Sequence, residues 1–316
     1  MAKAKVLDCT LRDGGYVNDW MFGEKNIRSI IRKLNDAQID IIEVGFLEDV
    51  PVYPYNSDRA FYNSVDQIER LLPNEKKCEQ FVAMARYGNL NAEALKPYNG
   101  KSIDGLRITF HINEANEVLE FCQIIKDKGY KVYVQPVGTT IYTDEEMLEL
   151  IKKVNAFRPY AFYAVDTLGV MHQFDIHRLF YLIDHNLDPS IVRGFHSHNN
   201  LQMSFSNAQA LAGMTLKNDV IIDASVHGMG RGAGNLHTEL ITENLNHRHG
   251  VKYDLDYLLE IIDDYMVFAK QEYSWGYMIP YYLAATKDCH PDYASYLIDK
   301  KTLQISAISF ILDMIP

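Results

Sequence analysis

Two histidines separated by one residue, His196 and His198, are the side chains of this sequence best suited to hold a metal ion. They follow a run of β-branched and aromatic residues from Ile191 to Phe195, and Asn199-Asn200 comes directly after them, which predicts the carboxyl end of a strand. Side chains at positions i and i+2 of a strand point to one face, so both imidazoles could bind one ion. The spacing alone fits two ordinary surface or loop histidines equally well.

Eight short β-rich runs, separated by helix-like stretches, determine the predicted fold. Several are almost continuously apolar, as in Ile41–Phe46, which is typical of parallel strands covered on both faces. Between the runs, Asn26–Leu34 and Val118–Ile125 carry apolar side chains at helical spacing. We therefore predict an α/β protein, a (β/α)8 TIM barrel, rather than an open doubly wound sheet. The predicted strands are Lys5–Cys9, Asp40–Phe46, Gln80–Arg86, Gly105–Phe110, Lys131–Val137, Ala161–Asp166, Ile191–His196 and Val220–Val226.

The alternation of strands and helices stops after about residue 248. The rest of the chain is helical and tyrosine-rich in pattern, through Tyr253–Phe268, Tyr277–Ala285 and Thr302–Met314. We predict a catalytic barrel over residues 1–250 and a helical extension over residues 251–316. An apolar helical run stops at Pro316, which is what a longer protein truncated at this point would give.

Composition excludes several classes of partner. The formal net charge of −11 and the lack of a basic stripe argue against binding to nucleic acid. Cys9, Cys78, Cys122 and Cys289 lie far apart, which fits a reduced compartment and neither a disulfide framework nor a thiolate zinc site. No signal peptide and no apolar run long enough for a bilayer are visible, so we predict a cytoplasmic protein without a membrane partner.

The ends of the first and last predicted strands add groups that could act with the two histidines. Arg12-Asp13 follows the first strand, and a glycine-rich loop, Gly228–Asn235, follows the eighth. The active sites of TIM barrels lie at these carboxyl ends, so Asp13, His196 and His198 would form a two-nitrogen, one-carboxylate site with open positions. Such a site suits a divalent Mn, Mg, Zn or Fe ion. The alternatives are purely structural roles, namely a surface ion pair for Arg12-Asp13 and a tight turn for the glycine-rich loop.

The sequence resembles the metal-dependent aldolase and lyase barrels of the isopropylmalate synthase and 3-hydroxy-3-methylglutaryl-CoA (HMG-CoA) lyase superfamily. Within that superfamily it is most similar to the 4-hydroxy-2-oxovalerate aldolases. The shared motifs span the chain from the first to the eighth predicted strand in order, and the extension carries a Gly-Tyr…Tyr stretch from Gly276. The motifs are Asp8-x-Thr10-Leu11-Arg12-Asp13-Gly14, Ile42-Glu43-Val44-Gly45, the stretch from Arg107 through His111 to Glu114, Asp166-Thr-Leu-Gly169, the stretch from Gly194 through His198 to Asn200, and Asp223 to Asn235.

The resemblance implies a metal site and an electrophilic arginine. Asp13, His196 and His198 would bind the ion, with Asn235 as an additional ligand or a neighbour of one. The ion would be Mn²⁺ or Mg²⁺, with Zn²⁺ as an alternative. Breaking a carbon–carbon bond beside a 2-keto acid leaves an enolate, whose charge needs a Lewis acid. Arg12 would steady the same charge with a guanidinium that keeps its proton.

Five further residues receive supporting roles from the resemblance. Glu43 and Asp166 would orient neighbouring groups rather than react, and each could equally be a buried, hydrogen-bonded acid at a strand end. Thr167, Tyr277 and Tyr281 would contact the substrate. For the two tyrosines ordinary packing is the alternative, because the chain has 21 tyrosines in all.

The sequence departs from its relatives at the catalytic base. The 4-hydroxy-2-oxovalerate aldolases that the sequence resembles have a histidine three residues after the metal-binding Asp, whereas this chain has Tyr16. A neutral phenol, whose reference pKa is about 10, is a poor base at pH 7 unless the site depresses its pKa. Tyr16 could instead donate a hydrogen bond. His111, which the aldolases share, and His227, where they have a small residue, are the other candidates.

Three functions follow as hypotheses. The first is a class II aldolase that cleaves or forms a 4-hydroxy-2-oxo acid from pyruvate or another 2-keto acid and an aldehyde. The second is a Claisen-type acyltransferase that condenses acetyl-CoA with a 2-keto acid, against which the first motif has Gly15-Tyr16 in place of a glutamate. The third is a barrel that binds metal and ligand without turnover. A homodimer is compatible with all three, and related aldolases imply an aldehyde dehydrogenase partner, for which no interface can be recognised in the sequence.

Overall fold

The protein, represented by a computed structural model that describes residues 2–50 and 53–315, has one parallel sheet closed into a barrel. The sheet closes because β1 pairs with both β2 and β9, each in parallel register. The strands of the described residues are β1 (Ala4–Asp8), β2 (Ile41–Leu47), β3 (Phe61–Tyr62), β4 (Gln80–Arg86), β5 (Gly105–Phe110), β6 (Lys131–Pro136), β7 (Ala161–Asp166), β8 (Val192–Ser197) and β9 (Val220–Ala224).

The predicted (β/α)8 barrel is confirmed. Each of the eight predicted runs coincides with a barrel strand to within a few residues at either end. The two-residue strand β3 was not predicted, and it pairs only with the end of β2, where the register between β2 and β4 shifts. A pairing this short leaves no readable alternation in sequence.

Helices surround the barrel. The predicted segments Asn26–Leu34 and Val118–Ile125 lie within the second and fourth helices, whose buried residues recur at helical spacing. The helices are α1 (Gly15–Asn18), α2 (Glu24–Asp36), α3 (Val65–Glu69), α4 (Ala115–Asp127), α5 (Asp144–Phe157), α6 (Gln173–Asn186), α7 (Ser204–Ala212), α8 (Thr238–His249), α9 (Leu255–Ile261), α10 (Val267–Glu272), α11 (Ile279–Thr286), α12 (Pro291–Asp299) and α13 (Ile305–Leu312).

The connection between β4 and β5 differs from the predicted alternation. Residues 87–104 contain turns and no helix, so the expectation of a helix after every strand is wrong there. Gly88, Pro97 and Gly100 interrupt this stretch. The two glycines have positive φ angles, which a helix does not contain, and a proline inside a helix removes a backbone hydrogen bond.

The core has two layers. A large cluster fills the space between the sheet and the helices, and a smaller one lies inside the barrel. Interior side chains alternate along each strand, as the pleat requires, so that Tyr133 on β6 and Tyr163 on β7 fill the centre. This alternation also directs polar residues near the strand ends towards the barrel axis.

The residues after the barrel pack in two ways. Leu258 and Met266, from α9 and the π-helical turn that links it to α10, join the main core. Helices α11–α13 instead form a separate apolar cluster that includes Ala233 of the glycine-rich loop. Of these helices α12 was not predicted. The boundary between the catalytic barrel and the helical extension, at residue 250, stays a prediction.

In the part of the chain that the structure describes, none of the helices combines the length and apolar character needed to cross a bilayer.

Candidate metal centre

Asp13, His196 and His198 lie together at the carboxyl end of the barrel. Asp13 sits in the turn after β1, where its amide donates to the Cys9 carbonyl oxygen, and the histidines lie at the end of β8. All three are buried, and one ligand atom from each lies within 4.8 Å of the others. The Nε2 atom of His198 is 3.6 Å from Oδ2 of Asp13, and that of His196 is 4.0 Å from Oδ1.

Hydrogen bonds fix the tautomers of the two imidazoles. Nδ1 of His196 lies 2.9 Å from an oxygen of Asp223, and Nδ1 of His198 lies 3.2 Å from the carbonyl oxygen of Asp166. These acceptors require protons on both Nδ1 atoms, which leaves the Nε2 lone pairs towards Asp13. Burial lowers the pKa of His196 and thereby favours the neutral form that binds metals, although Asp223 opposes this shift.

The donor set fits a divalent ion. Burial alone would raise the pKa of Asp13, but the Arg12 guanidinium and the two imidazoles hold it well below its usual range, so the group is a carboxylate at neutral pH. The side-chain amide of Asn235 donates to Oδ2 of Asp13 at 2.7 Å, and its own Oδ1 is buried without a partner among the described residues. A Cβ at Gly230 would lie 2.9 Å from that Asp13 oxygen, so the loop needs glycine there to pass the site.

Arg12 is held from two sides. Its Nε donates to Glu43 at 2.8 Å and its Nη1 donates to Asp13, while the buried Nη2 has no partner among the described residues. A buried guanidinium nitrogen without an acceptor is costly, and a ligand oxygen in the adjacent cavity would satisfy it.

A second buried arginine links these groups through the barrel interior. Arg107 on β5 is fully buried between Glu43, at 2.7 Å from its Nη1, and Asp223, which in turn binds His196. Arg107 also lies over the Tyr163 ring, 4.9 Å from its centroid. The sequence predicts an orienting role for Glu43 and no role for Arg107 or Asp223. The available signal was a charged residue within an otherwise apolar strand.

Asp166 orients the site through its backbone. Its carboxylate accepts hydrogen bonds from the amides of Val170 and Met171, and burial raises its pKa. The carbonyl oxygen rather than the carboxylate therefore contacts His198.

A cavity of about 280 Å³ opens above the triad. It brings together seven of the predicted site residues, namely Arg12, Asp13, Tyr16, His111, Thr167, His196 and His198. Its other lining residues are Phe46, Met84, Arg86, Thr109, Gln135, Val137, Val165, Arg231 and His290.

Two lining residues, Arg231 and His290, have no role in the sequence prediction. Arg231 belongs to the glycine-rich loop and lies 3.9 Å from the centroid of the Tyr16 ring. His290 directly precedes α12, and its Nε2 is 3.4 Å from Nη1 of Arg231. Burial lowers the pKa of His290. A residue from the extension could be placed at the site only once the packing of α12 was known.

Four predicted residues do not line this cavity: His227, Tyr277 and Tyr281, and also Asn235, which contacts Asp13 from the glycine-rich loop. His227 has a left-handed backbone with φ of 55°, and its ring packs against His237 and Trp275 instead. Tyr281 is buried in the α11–α13 cluster with its hydroxyl 3.1 Å from Ser295, and Tyr277 is half exposed. His227, one of the candidate bases, therefore lies outside the cavity. Tyr281 is placed as its alternative role, ordinary packing, describes.

Comparison with known proteins places this geometry in a family. The family described as HMGL-like matches residues 106–264, about half of the chain, including β8 and both histidines. The chain belongs to the HMGL-like family. The superfamily resemblance predicted from the motifs is therefore confirmed.

Individual HMGL-like relatives match most of the chain. A 4-hydroxy-2-oxovalerate aldolase of Geobacillus genomosp. 3 is 26% identical over 82% of this chain and 74% of its own length. An oxaloacetate decarboxylase of Mycobacterium tuberculosis is 28% identical over 81% of this chain and 74% of its own length. A crystal structure of the N-terminal domain of a candidate aldolase from Bacteroides vulgatus has a TM-score of 0.80 at 27% identity and covers 97% of this chain and 99% of that one.

Proposed function

We propose that the protein is a divalent-metal-dependent carbon–carbon lyase that cleaves, or forms in reverse, a 4-hydroxy-2-oxo acid. The products would be pyruvate or another 2-keto acid and an aldehyde. The observation that carries the proposal is the arrangement of the two Nε2 atoms around the Asp13 carboxylate, at the end of a barrel cavity. The similarity to proteins named 4-hydroxy-2-oxovalerate aldolase supports the same chemistry.

The reaction requires charge stabilisation at the keto acid. The bond between C3 and C4 breaks, its electron pair passes to C3 as an enolate, and the C4 hydroxyl loses its proton as C4 becomes the aldehyde carbon. A divalent ion held by Asp13, His196 and His198 would supply a Lewis acid at the keto group. Nη2 of Arg12, which Glu43 and Asp13 hold in place, would donate to the developing negative charge.

Asn235 and Asp223 would position the ligands. Asn235 fixes one oxygen of Asp13, and Asp223 fixes the ring of His196. Thr167 donates no proton in this scheme; its hydroxyl oxygen accepts a hydrogen bond from the amide of Gly138, which shapes the cavity wall.

We assign the proton transfer to the side chains that line the cavity. Tyr16, His111 and His290 meet this condition and His227 does not. His290 has the pKa direction that suits a base, because its burial favours the neutral imidazole. Single variants Tyr16→Phe, His111→Gln and His290→Gln separate these groups: the base is the residue whose loss reduces turnover most without changing metal content.

The experiment that tests the proposal is a pyruvate-release assay. Purified protein with Mn²⁺ is incubated with a panel of 4-hydroxy-2-oxo acids and coupled to lactate dehydrogenase, with His198→Ala as the background. We expect pyruvate release that requires His198. Thiol release from acetyl-CoA and a 2-keto acid, without pyruvate, would replace the proposal by the acyltransferase. Silence in both assays from a fully metal-loaded protein would leave a binding barrel.

A decarboxylase is the second candidate function. Its support is the similarity to the oxaloacetate decarboxylase of Mycobacterium tuberculosis. Loss of CO₂ from a 2-keto acid with a carboxylate on C3 leaves the same enolate as the aldol cleavage does, so one site could serve either reaction. Oxaloacetate, used as the substrate in the same assay, distinguishes the decarboxylase from the aldolase. The His198→Ala variant measures the background decarboxylation by free metal ions, which is subtracted.

A further inference from the structure

The cavity is rich in positive charge for the substrate proposed above. Among its lining residues three are arginines, Arg12, Arg86 and Arg231, and one is an acid, Asp13. A bound divalent ion would add two further positive charges. A simple keto acid in its enolate form carries two negative charges, and both belong beside the metal and Arg12. The charges of Arg86 and Arg231 are therefore not needed at the reacting end.

Arg86 presents one edge to the cavity. At the end of β4, its Nε and Nη2 donate to Glu48 at 2.7 and 2.8 Å, and Nη1 has no hydrogen-bond partner among the described residues. Glu48 is fully buried, does not line the cavity, and also accepts from the side chain of Asn89. The ion pair therefore holds the guanidinium in place while its charge remains accessible to a ligand.

Arg231 also lines the cavity, next to a wall that is formed by two aromatic rings. Tyr16 and Phe46 form this wall, with ring centroids 6.4 Å apart. Arg231 stacks on Tyr16, and Arg86 lies over Phe46 at 5.5 Å. The nearest carboxylate to Arg231 is Asp292, whose Oδ1 is 3.4 Å from Nε and whose side chain is 60% exposed, so water screens this pair strongly.

We propose that the part of the substrate that leaves as the aldehyde carries an anion, a carboxylate or a phosphate, which Arg86 and Arg231 bind. The inference rests on the proposed function, because it assigns the second half of the same substrate. Guanidinium groups match both anions in geometry and keep their charge at every physiological pH. Tyr16 and Phe46 would cover the carbon chain between the reacting carbons and the anion.

The first test is condensation of pyruvate with paired aldehydes. Succinic semialdehyde is compared with its methyl ester, and glycolaldehyde phosphate with glycolaldehyde. We expect kcat/KM to favour one anionic member over its neutral partner by about ten- to hundredfold, the value of a charged hydrogen-bonded contact. Which pair shows the preference distinguishes carboxylate from phosphate. Equal values within both pairs would overturn the inference.

Variants of Arg86 and Arg231 test whether these two residues cause the preference for the anionic substrate. Arg231→Met and the double variant Glu48→Gln/Arg86→Met should reduce the ratio of anionic to neutral kcat/KM to within a few-fold of one. The double variant removes both charges, so no buried Glu48 is left unpaired. Arg28→Met, an exposed arginine of α2, is the matched control and should keep the wild-type ratio. An unchanged ratio in both cavity variants, with unfolding midpoints near wild type, would contradict the assignment.

A binding measurement separates this inference from the proposed function. With Mn²⁺ present, 2-oxoadipate should bind at least about tenfold tighter than 2-oxohexanoate, and the double variant should lose the difference. Exchange of the pyruvate methyl protons in D₂O reports on enolate formation alone. Exchange without a preference for 2-oxoadipate, together with equal kcat/KM values for glycolaldehyde phosphate and glycolaldehyde, would overturn the inference and leave the lyase. A preference without exchange would support the anion site and contradict the lyase.

Discussion

At the residue scale, His196 and His198 differ in what holds their Nδ1 atoms. A buried carboxylate, Asp223, binds the first, and a backbone carbonyl binds the second. A carboxylate partner raises the basicity of the ring it binds, whereas a carbonyl mainly orients it. Asp223 also pairs with Arg107, so the affinity of His196 for a cation depends on an ion pair in the barrel interior.

Replacement of His198 by alanine should abolish metal retention. The site loses one of three protein ligands, and the two that remain cannot enclose an ion. Metal analysis after gel filtration in Mn²⁺-free buffer measures the effect. His185→Ala, an exposed histidine of α6, should retain metal as the wild type does. Unchanged occupancy in His198→Ala would refute the proposed ligand set.

Asp223→Asn should weaken metal binding without removing a ligand. The amide can still accept from Nδ1 of His196, but its negative charge is gone, and loss of such a partner costs about 10- to 100-fold in affinity. Isothermal titration with Mn²⁺ measures this, and circular dichroism checks that Arg107 still packs. Wild-type affinity in the folded variant would show that Asp223 serves only the Arg107 ion pair.

At the scale of the elements, the carboxyl end of β1 is joined to the start of α8 by one buried acid. Asp8 accepts hydrogen bonds from the amide of Thr10 at 2.9 Å and from the hydroxyl of Thr238 at 2.6 Å. Burial raises the pKa of Asp8 to about 6 despite these bonds. This connection places the Asp13 turn next to the segment that follows the glycine-rich loop.

Asp8→Asn should change the pH dependence of stability. An acid whose folded pKa exceeds its unfolded value stabilises the fold below the unfolded pKa, near 4, and loses that contribution as the pH rises through 6. The unfolding free energy of Asp8→Asn relative to wild type should therefore increase by about 1.4 kcal/mol from pH 5 to 7.5. Denaturant titrations at both values measure it, and Asp263→Asn, on an exposed acid, serves as the control. A constant difference between the two pH values would contradict the raised pKa.

At the scale of the whole molecule, helices α11–α13 pack against the glycine-rich loop beside the cavity. They pack on Ala233, and the residue before α12, His290, reaches the cavity beside Arg231. The chain carries a net charge of −11, yet it concentrates three arginines around one cavity. The overall charge therefore opposes polyanions in general, whereas the proposed anion site would attract small anions locally.

Gly232→Ala should disturb the packing of the glycine-rich loop against the start of α12. Gly232 has φ of +65°, and a Cβ there would lie 2.9 Å from Oδ1 of Asn200 and 3.2 Å from Cβ of Pro291, the first residue of α12. Gly250 has φ of +66° with nothing within 4 Å of a Cβ, so Gly250→Ala carries the backbone strain alone, about 1 kcal/mol. We expect both variants to lose stability, measured by thermal unfolding, and only Gly232→Ala to lose substantial kcat/KM. Equal activities would show that α12 does not shape the cavity.

The sequence by itself determined the barrel, the family and the grouping of Asp13, His196 and His198. Short, continuous apolar runs that alternate with amphipathic stretches indicate parallel strands covered on both faces, and the strand ends of a TIM barrel meet at one mouth. Asp13, His196 and His198 could therefore be placed together from their positions along the chain. The local pattern carries this information because Asp13 follows β1 within a few positions, and His196 and His198 lie at the end of β8.

Only the tertiary structure decided which other groups reach the cavity. Arg86 faces it because Glu48 holds the opposite edge of its guanidinium, and His290 reaches it because α12 packs on the glycine-rich loop. His227 turns away because its left-handed backbone directs the ring towards Trp275. These outcomes depend on contacts between residues far apart in sequence and on single backbone angles, neither of which a hydrophobic pattern or a motif specifies.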